Sequence, residues 1–164
     1  MKPWKATFSF VMLTIWQRKS VKVNSSFWGV YYTMDTYNWY AQLIKPSWAP
    51  PAWLFGPAWT VLYILIAISF GKVFLLAWQK KIAFKTALPF ALNLIFNFAF
   101  SPLQFRLQNN ILAAIDVLFV LATLIWAMRA IYPHARWITY IQIPYLLWVS
   151  FATVLQLTVT YLNR

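Results

Sequence analysis

The chain contains no cysteine, which excludes disulfide bonds, thiol nucleophiles and cysteine metal sites within its 164 residues. Charged side chains make up 10% of the sequence, against about 25% in a typical soluble domain. Only two of them are carboxylates, Asp35 and Asp116, whereas 14 are lysines or arginines. No nucleophile–base pair, metal cluster or phosphate-binding loop can be recognised, so we predict no catalytic residue and no covalent cofactor.

Apolar and aromatic residues dominate what remains, at 62% and 21% of the chain. A sequence of this length cannot hide so much apolar surface in one aqueous core and needs lipid as its solvent. A formal net charge of +12 would indicate nucleic-acid binding in a soluble protein. Here the basic residues fall mostly between apolar runs, where they meet anionic lipid head groups. We therefore predict a multi-pass membrane protein with no nucleic-acid partner.

The spacing of the charges marks the membrane spans. After Lys45 the chain has four long stretches with at most one charged residue each, and Asp116 is that residue in the third. Each stretch is long enough for the roughly 20 apolar residues that a helix needs to cross a bilayer. We predict helices near 52–78, 84–105, 110–131 and 137–162.

A fifth span is predicted near 4–22, with a long first loop at 23–51. Its apolar part, 6–16, is only about half the length of a span, and the basic run at 17–22 follows it. This helix either crosses with its basic end reaching the head groups or lies in the membrane interface. We predict that it crosses, which makes residues 1–164 one all-α domain, a five-transmembrane-helix bundle. The basic residues are spread almost evenly over the two sides, so orientation stays open.

The segment 39–63, WYAQLIKPSWAPPAWLFGPAWTVLY, is the most informative part of the chain. Proline is well tolerated at a helix start, and tryptophan and tyrosine gather at membrane interfaces. An ordinary aromatic belt does not explain this density of both. The segment resembles the signature of the TspO/MBR family, the tryptophan-rich sensory proteins of bacteria and translocator proteins of mitochondria. The resemblance continues in LNLIFNFAFSPLQF (92–105), in A-x-x-D-x-x-L around Asp116 and in PYLLWVSFATVL (144–155).

This resemblance covers the chain from about Trp39 to Leu155, whereas the first 38 residues depart from it. It implies a five-helix bundle, often dimeric, that binds porphyrins and in some members sterols or benzodiazepine-type drugs. The pocket would lie between the helices under the first loop. By position, its lining would be Trp59, Tyr63, Asn97, Phe100, Trp148 and Ala152, with Trp39, Trp48 and Pro51 in the loop or rim above.

The resemblance also implies a homodimer through the third predicted helix, 84–105. On that helix Ala87 and Ala91 form a pair of small residues four positions apart, a common packing motif in membranes. The cellular location expected for such a protein is the bacterial cell membrane, or the mitochondrial outer membrane in a eukaryote. A non-covalently bound porphyrin is the expected ligand.

Several alternatives remain open from the sequence. One is that the aromatic residues pack helix against helix or face lipid instead of lining a pocket. Asp116 fits a structural hydrogen bond between helices better than a proton relay. The function expected from the resemblance is a membrane receptor or sensor for tetrapyrroles, linked to porphyrin handling or stress regulation. The alternatives are a transporter of porphyrin or sterol and an enzyme that degrades porphyrin in light.

Overall fold

A computed structural model describes residues 39–164. Residues 39–42 are helical, and an irregular stretch then leads to a 3-10 turn at Ala52–Leu54. The helices that follow are α1 (Phe55–Trp78), α2 (Phe84–Ser101), α3 (Asn110–Ile131), α4 (Arg136–Ile141) and α5 (Ile143–Leu162). A π-helical turn, Pro102–Arg106, continues α2. The described residues contain no strand.

All four spans predicted after the first loop are confirmed. The segments long and apolar enough to cross a bilayer are Ala52–Trp78, Phe84–Arg106, Asn110–Ile131 and Arg136–Leu162. In hydrocarbon a backbone must satisfy its own hydrogen bonds, which is why uninterrupted apolar runs become helices. The chain is an all-α, multi-pass membrane protein, as expected for a five-helix membrane bundle. The predicted span 4–22 and the first part of the predicted loop 23–51 lie outside the described residues.

The closest packing is between α2 and α3 and between α3 and α5, whereas the backbone of α1 approaches its neighbours less. Long side chains attach α1 to the bundle instead. The ring of Phe70 on α1, for example, meets that of Phe90 on α2 edge-to-face with centroids 4.8 Å apart. Both rings are almost completely buried. Contacts between aromatic rings therefore hold α1 against the bundle, whereas α2, α3 and α5 pack with their backbones close together.

A break in the last span is tied to α1 by a buried amide. The regular helical hydrogen-bond pattern is interrupted between α4 and α5 at Gln142, and Pro144 is accommodated in the first turn of α5. Gln142 is fully buried, and its Nε2 donates a hydrogen bond to the hydroxyl of Ser69 on α1. Ser69 in turn donates to the carbonyl of Leu65. This pair joins the two spans towards the end of the bundle remote from the first loop.

The stretch 44–59 runs alongside α5 in the opposite direction. At its start the side chain of Asn163 engages both backbone groups of Ile44: Oδ1 accepts from the N–H at 2.9 Å and Nδ2 donates to the carbonyl at 2.9 Å. Further along, the ring of Trp48 meets that of Phe151 edge-on, with centroids 5.9 Å apart. The end of α5 therefore fixes the position of the loop that precedes α1.

The small-residue pair on α2 is only partly accessible. Ala87 is 2% exposed and belongs to the core of its own chain, whereas Ala91 is half-buried, so Ala87 is not available to a partner and the homodimer itself stays a prediction. Side chains of α2 that do face outward are larger and apolar: Phe84, Leu88, Ile95 and Phe98. Any contact of this helix with a second copy would involve these residues.

The link between Ile44 and Asn163 generates the first prediction. Replacing Asn163→Ala removes both hydrogen bonds to Ile44, each contributing about 0.5–1.5 kcal/mol. We expect the backbone amide of Ile44 to exchange with deuterium about tenfold faster, measured by mass spectrometry on the purified full chain. Thr158→Ala is the matched control, because the Thr158 hydroxyl bonds only within α5, to the carbonyl of Val154. Equal exchange rates in the two variants would contradict this attachment.

Candidate functional site

A row of aromatic side chains lies along one face of α1. Phe55, Trp59 and Tyr63 follow at intervals of four residues, which places them one above the other on the helix. The rings of Trp59 and Tyr63 are stacked, with centroids 5.2 Å apart and 29° between their planes. All three residues are half-buried. Their faces are therefore partly accessible within the membrane span.

A second row, on α5, meets the first. The ring of Tyr145 lies edge-on to that of Trp59 at 6.4 Å, and the ring of Trp148 lies edge-on to that of Phe55 at 5.8 Å. Phe151 follows one turn further along, 6.0 Å from Trp148. We call this group of rings from α1 and α5 the aromatic site: Phe55, Trp59, Tyr63, Tyr145, Trp148 and Phe151.

The aromatic site spans a place where two helices are joined by side chains rather than by close backbone packing. The backbones of α1 and α5 are not among the closely packed pairs of the bundle. Edge-to-face ring contacts are favourable yet individually weak, at about 0.5–1.5 kcal/mol beyond burial. Replacing such contacts with those of a flat ligand therefore costs less than separating α2 from α3 would.

A buried amide lies beside the aromatic site. Asn97 of α2 is 6% exposed. Its Oδ1 accepts a hydrogen bond from the hydroxyl of Tyr63 at 3.2 Å, and its Nδ2 donates to the hydroxyl oxygen of Tyr145 at 2.8 Å. Because a buried amide without partners is costly, the two tyrosines stabilise Asn97, and Asn97 in turn fixes both hydroxyl groups.

The hydrogen bonds continue deeper into the bundle. The hydroxyl of Tyr145 donates to Oδ1 of Asn93 at 3.1 Å. Nδ2 of Asn93 donates to the carbonyl of Val120 at 2.9 Å and to the hydroxyl of Thr123 at 3.2 Å. We call the chain from Tyr63 through both asparagines to Thr123 the tyrosine–asparagine network. It connects α1, α2, α5 and α3.

Several of the predicted binding residues come together in this arrangement. Trp59, Tyr63 and Trp148 belong to the aromatic site, and Asn97 bonds two of its tyrosines. Trp48 lies at its outer edge, 47% exposed and in contact with Phe151. The structure thus unites residues from α1, α2, α5 and the preceding loop.

The other predicted residues lie around this group. Phe100 and Ala152 are half-buried, one helical turn from Asn97 and Trp148 respectively. Pro51 is exposed and caps the 3-10 turn, where its carbonyl accepts from the N–H of Leu54 at 3.0 Å. Trp39 is half-buried in the helical residues 39–42. Pro51 and Trp39 therefore lie on the chain that leads to the site, outside the ring cluster.

One hydrogen-bond donor of the aromatic site has no partner. The indole Nε1 of Trp148 is buried, and no acceptor for it occurs among residues 39–164. An unpaired buried N–H costs about 1–3 kcal/mol. A ligand that supplies an acceptor atom at this position would remove that cost.

Asp116 is buried as expected. One of its two carboxylate oxygens, Oδ2, does not make the predicted hydrogen bond between helices. The residue is 4% exposed on α3, and its Oδ2 has no hydrogen-bond partner in the described part of the chain. Amides make such a connection nearer the loop end of the bundle. There Gln156 of α5 donates to Gln104 at 3.0 Å, and Gln104 donates to Asn110 of α3 at 3.1 Å. An amide both donates and accepts, so it bridges helices without having to bind a proton first.

Three of the five side chains of the network, Asn93, Tyr145 and Thr123, are not among the residues predicted from the sequence. Asn93 precedes Asn97 by four residues, so both amides lie on one face of α2. That spacing was a usable signal, since two amides in an apolar run need buried partners. Tyr145 lies inside the quoted segment PYLLW but was not assigned a role, because nothing in its sequence context identifies which helix its hydroxyl contacts.

Comparison with known proteins identifies the family of the chain. The family model described as "TspO/MBR family" matches residues 20–162. The chain belongs to the TspO/MBR family. The match begins at residue 20, within the first 38 residues, which depart from the family signature. Similarity to the family therefore extends further towards the N-terminus than Trp39.

Curated relatives of the TspO/MBR family cover most of the chain. "Tryptophan-rich protein TspO" of Chlorobaculum tepidum is 33% identical over 138 residues, 84% of this chain and 87% of its own length. "Tryptophan-rich sensory protein" of Cereibacter sphaeroides is 35% identical over 76% of this chain and 77% of its own length. The human "Translocator protein" is 34% identical over 71% and 70%. The chain is thus similar to bacterial and mammalian members alike.

The tyrosine–asparagine network generates the second prediction. Tyr145→Phe keeps the ring but removes the hydroxyl, which leaves Asn97 and Asn93 each short of one partner. We expect a loss of about 1–2 kcal/mol in unfolding free energy, measured by denaturation in mixed detergent micelles. Tyr161→Phe on the same helix is the matched control, because Tyr161 is 63% exposed. If the two variants unfolded alike, the network would contribute nothing to stability.

Proposed function

We propose that the protein is a membrane receptor that binds a tetrapyrrole, such as protoporphyrin IX or haem, at the aromatic site. The observation that carries the proposal is the meeting of two rows of buried and half-buried rings, from α1 and α5, beside the buried amide of Asn97. Membership of the TspO/MBR family supports it. Such a receptor would act as a sensor in porphyrin handling or stress regulation.

A tetrapyrrole suits this site in shape and surface. Its macrocycle is flat and large, so it gains from offset stacking and from broad contact with indole and phenol rings. Trp59 and Trp148 contribute one such face from each helix. Insertion of the macrocycle between them would exchange ring–ring contacts of the protein for ring–ligand contacts of the same kind.

The polar groups nearby also match the ligand's chemistry. The hydroxyl of Tyr63 donates a hydrogen bond to Oδ1 of Asn97, so its oxygen keeps a lone pair that can accept a hydrogen bond from a ligand. The Nε1 of Trp148 is a buried donor without an acceptor among the described residues, which suits a ligand oxygen. At the loop end of the bundle the described charges are all basic: Lys45, Arg106 and Arg164. These cations suit the propionate groups of a tetrapyrrole that reaches the head-group level.

The third prediction tests the ligand and its position together. Protoporphyrin IX is titrated into the full chain in detergent in the dark, and its absorbance is followed. We expect saturable binding, weakened about tenfold by Trp148→Leu and less by Trp59→Phe, since the first variant loses an aromatic face and the second keeps one. Trp126→Leu is the matched control, because Trp126 is 47% exposed on α3 and outside the aromatic site.

The outcomes separate the alternatives. Absence of saturable binding would overturn the tetrapyrrole, and equal weakening by Trp148→Leu and Trp126→Leu would overturn the site. Turnover of the porphyrin spectrum under illumination would indicate the light-dependent enzyme. Movement of bound porphyrin between the two sides of a vesicle would indicate the transporter. A receptor gives dark binding without either.

We further propose that the receptor is a homodimer through the outward row of α2. Ile95 lies in that row, at 61% exposed, whereas Ile64 has a similar exposure of 55% on α1. The natural chain has no cysteine, so a single introduced one reports cleanly. As the fourth prediction, Ile95→Cys should form a disulfide-linked dimer on mild oxidation in membranes, and Ile64→Cys should not. Equal cross-linking of both would contradict this dimer face.

A further inference from the structure

A groove lies at the end of the bundle remote from the first loop, where α3 ends and the last span begins. Its volume is about 350 Å³. It is lined by Ile125, Met128, Arg129, Tyr132, Thr139 and Leu146. The hydroxyl of Thr139 donates to the carbonyl of Met128 at 3.2 Å, which connects the two walls. The groove is therefore a feature of the packed α3–α4–α5 unit.

The groove changes character along its length. Ile125 and Leu146 lie within the apolar spans, whereas Arg129 lies in the last turn of α3 and is exposed. Beyond it the guanidinium of Arg136 lies over the ring of Tyr132, 5.4 Å from its centroid. An apolar floor at the depth of the hydrocarbon thus leads to two cations at the depth of the head groups.

Neither arginine has an acidic partner among residues 39–164. Asp116 is the one carboxylate among residues 39–164, and it is buried on α3. It precedes Arg129 by about 20 Å along the helix axis, at 1.5 Å per residue. The other described charged residues at this end, Lys72, Lys80, Lys81 and Lys85, are also basic. Within the described part of the chain no carboxylate complements the two arginines, and an anionic group of another molecule would supply that charge.

We propose that this groove binds an anionic phospholipid of the surrounding bilayer. An acyl chain lies against Ile125, Met128 and Leu146, and the phosphate is bound by Arg129 and Arg136. Arginine suits this role because its planar guanidinium offers paired donors to phosphate oxygens. A lipid with a net negative head group is preferred over a zwitterionic one, because its charge is not already compensated by its own ammonium group.

The fifth prediction is a lipid preference measured on the intact protein. The full chain is freed of lipid in neutral detergent and titrated with phosphatidylglycerol or with phosphatidylcholine of the same acyl chains. Native mass spectrometry counts the lipids that remain bound. We expect one site with a preference of about tenfold for phosphatidylglycerol, and Arg129→Gln with Arg136→Gln should abolish that preference.

Two controls make the result specific. Lys80→Gln with Lys81→Gln removes the same charge from the same end of the bundle, outside the groove, and should leave the preference unchanged. Glycerol phosphate, which has the head-group phosphate but no acyl chain, should not displace the bound lipid at equal concentration. Displacement by glycerol phosphate, equal loss in both double variants, or absence of any preference in the unaltered chain would each overturn the proposal.

Discussion

Inside a bilayer, a buried polar group without a hydrogen-bond partner is costly, and the tyrosine–asparagine network pairs its buried side chains across four helices. Hydrogen bonds between membrane helices contribute little individually, about 0.6 kcal/mol on average. Their directions matter more than their strength. Tyr63 donates to Asn97, which donates to Tyr145, which donates to Asn93, so each group has one role in a single order. Sliding one helix along its neighbour would leave several groups unpaired together, and the network therefore fixes the relative depth of the helices.

Similar polar contacts occur at three depths. Gln104 and Gln156 meet towards the loop end, Asn93 and Asn97 lie in the middle, and Ser69 meets Gln142 towards the opposite end. Between these levels the contacts are apolar, so that α2, α3 and α5 are joined along their lengths by both kinds of packing. The helix α1 shares only the middle level and the level remote from the first loop, and otherwise it contacts its neighbours through rings. This difference explains why the aromatic site lies between α1 and α5 and not between the more closely packed pairs.

The membrane spans could be predicted because bilayer thickness and the cost of charge leave few choices of where a helix begins and ends. The faces of those helices could not. In a soluble helix, polar residues identify the face that is turned outward. In these spans lipid and protein core are equally apolar, so the sequence does not show whether a residue such as Ala87 faces lipid or core. Trp59, Tyr63, Asn97 and Trp148 were found by resemblance to a family pattern. Tyr145 and Asn93 were missed because a polar residue in an apolar run reveals that it needs a partner, not which helix supplies it.

The abundance of tryptophan is a poor guide to function until contacts are known. Trp78 is 86% exposed and Trp53 is 68% exposed, and both lie near the ends of a span, as expected of residues that anchor a helix at the membrane interface. Trp59 and Trp148 are half-buried and touch rings of the opposite helix. Tryptophan therefore occurs in two kinds of environment. Trp59 and Trp148 differ from the exposed tryptophans because they contact rings of the opposite helix and lie near a polar group. By that criterion the aromatic site is the candidate binding surface that we propose, whereas the exposed tryptophans are expected to lie at the membrane interface.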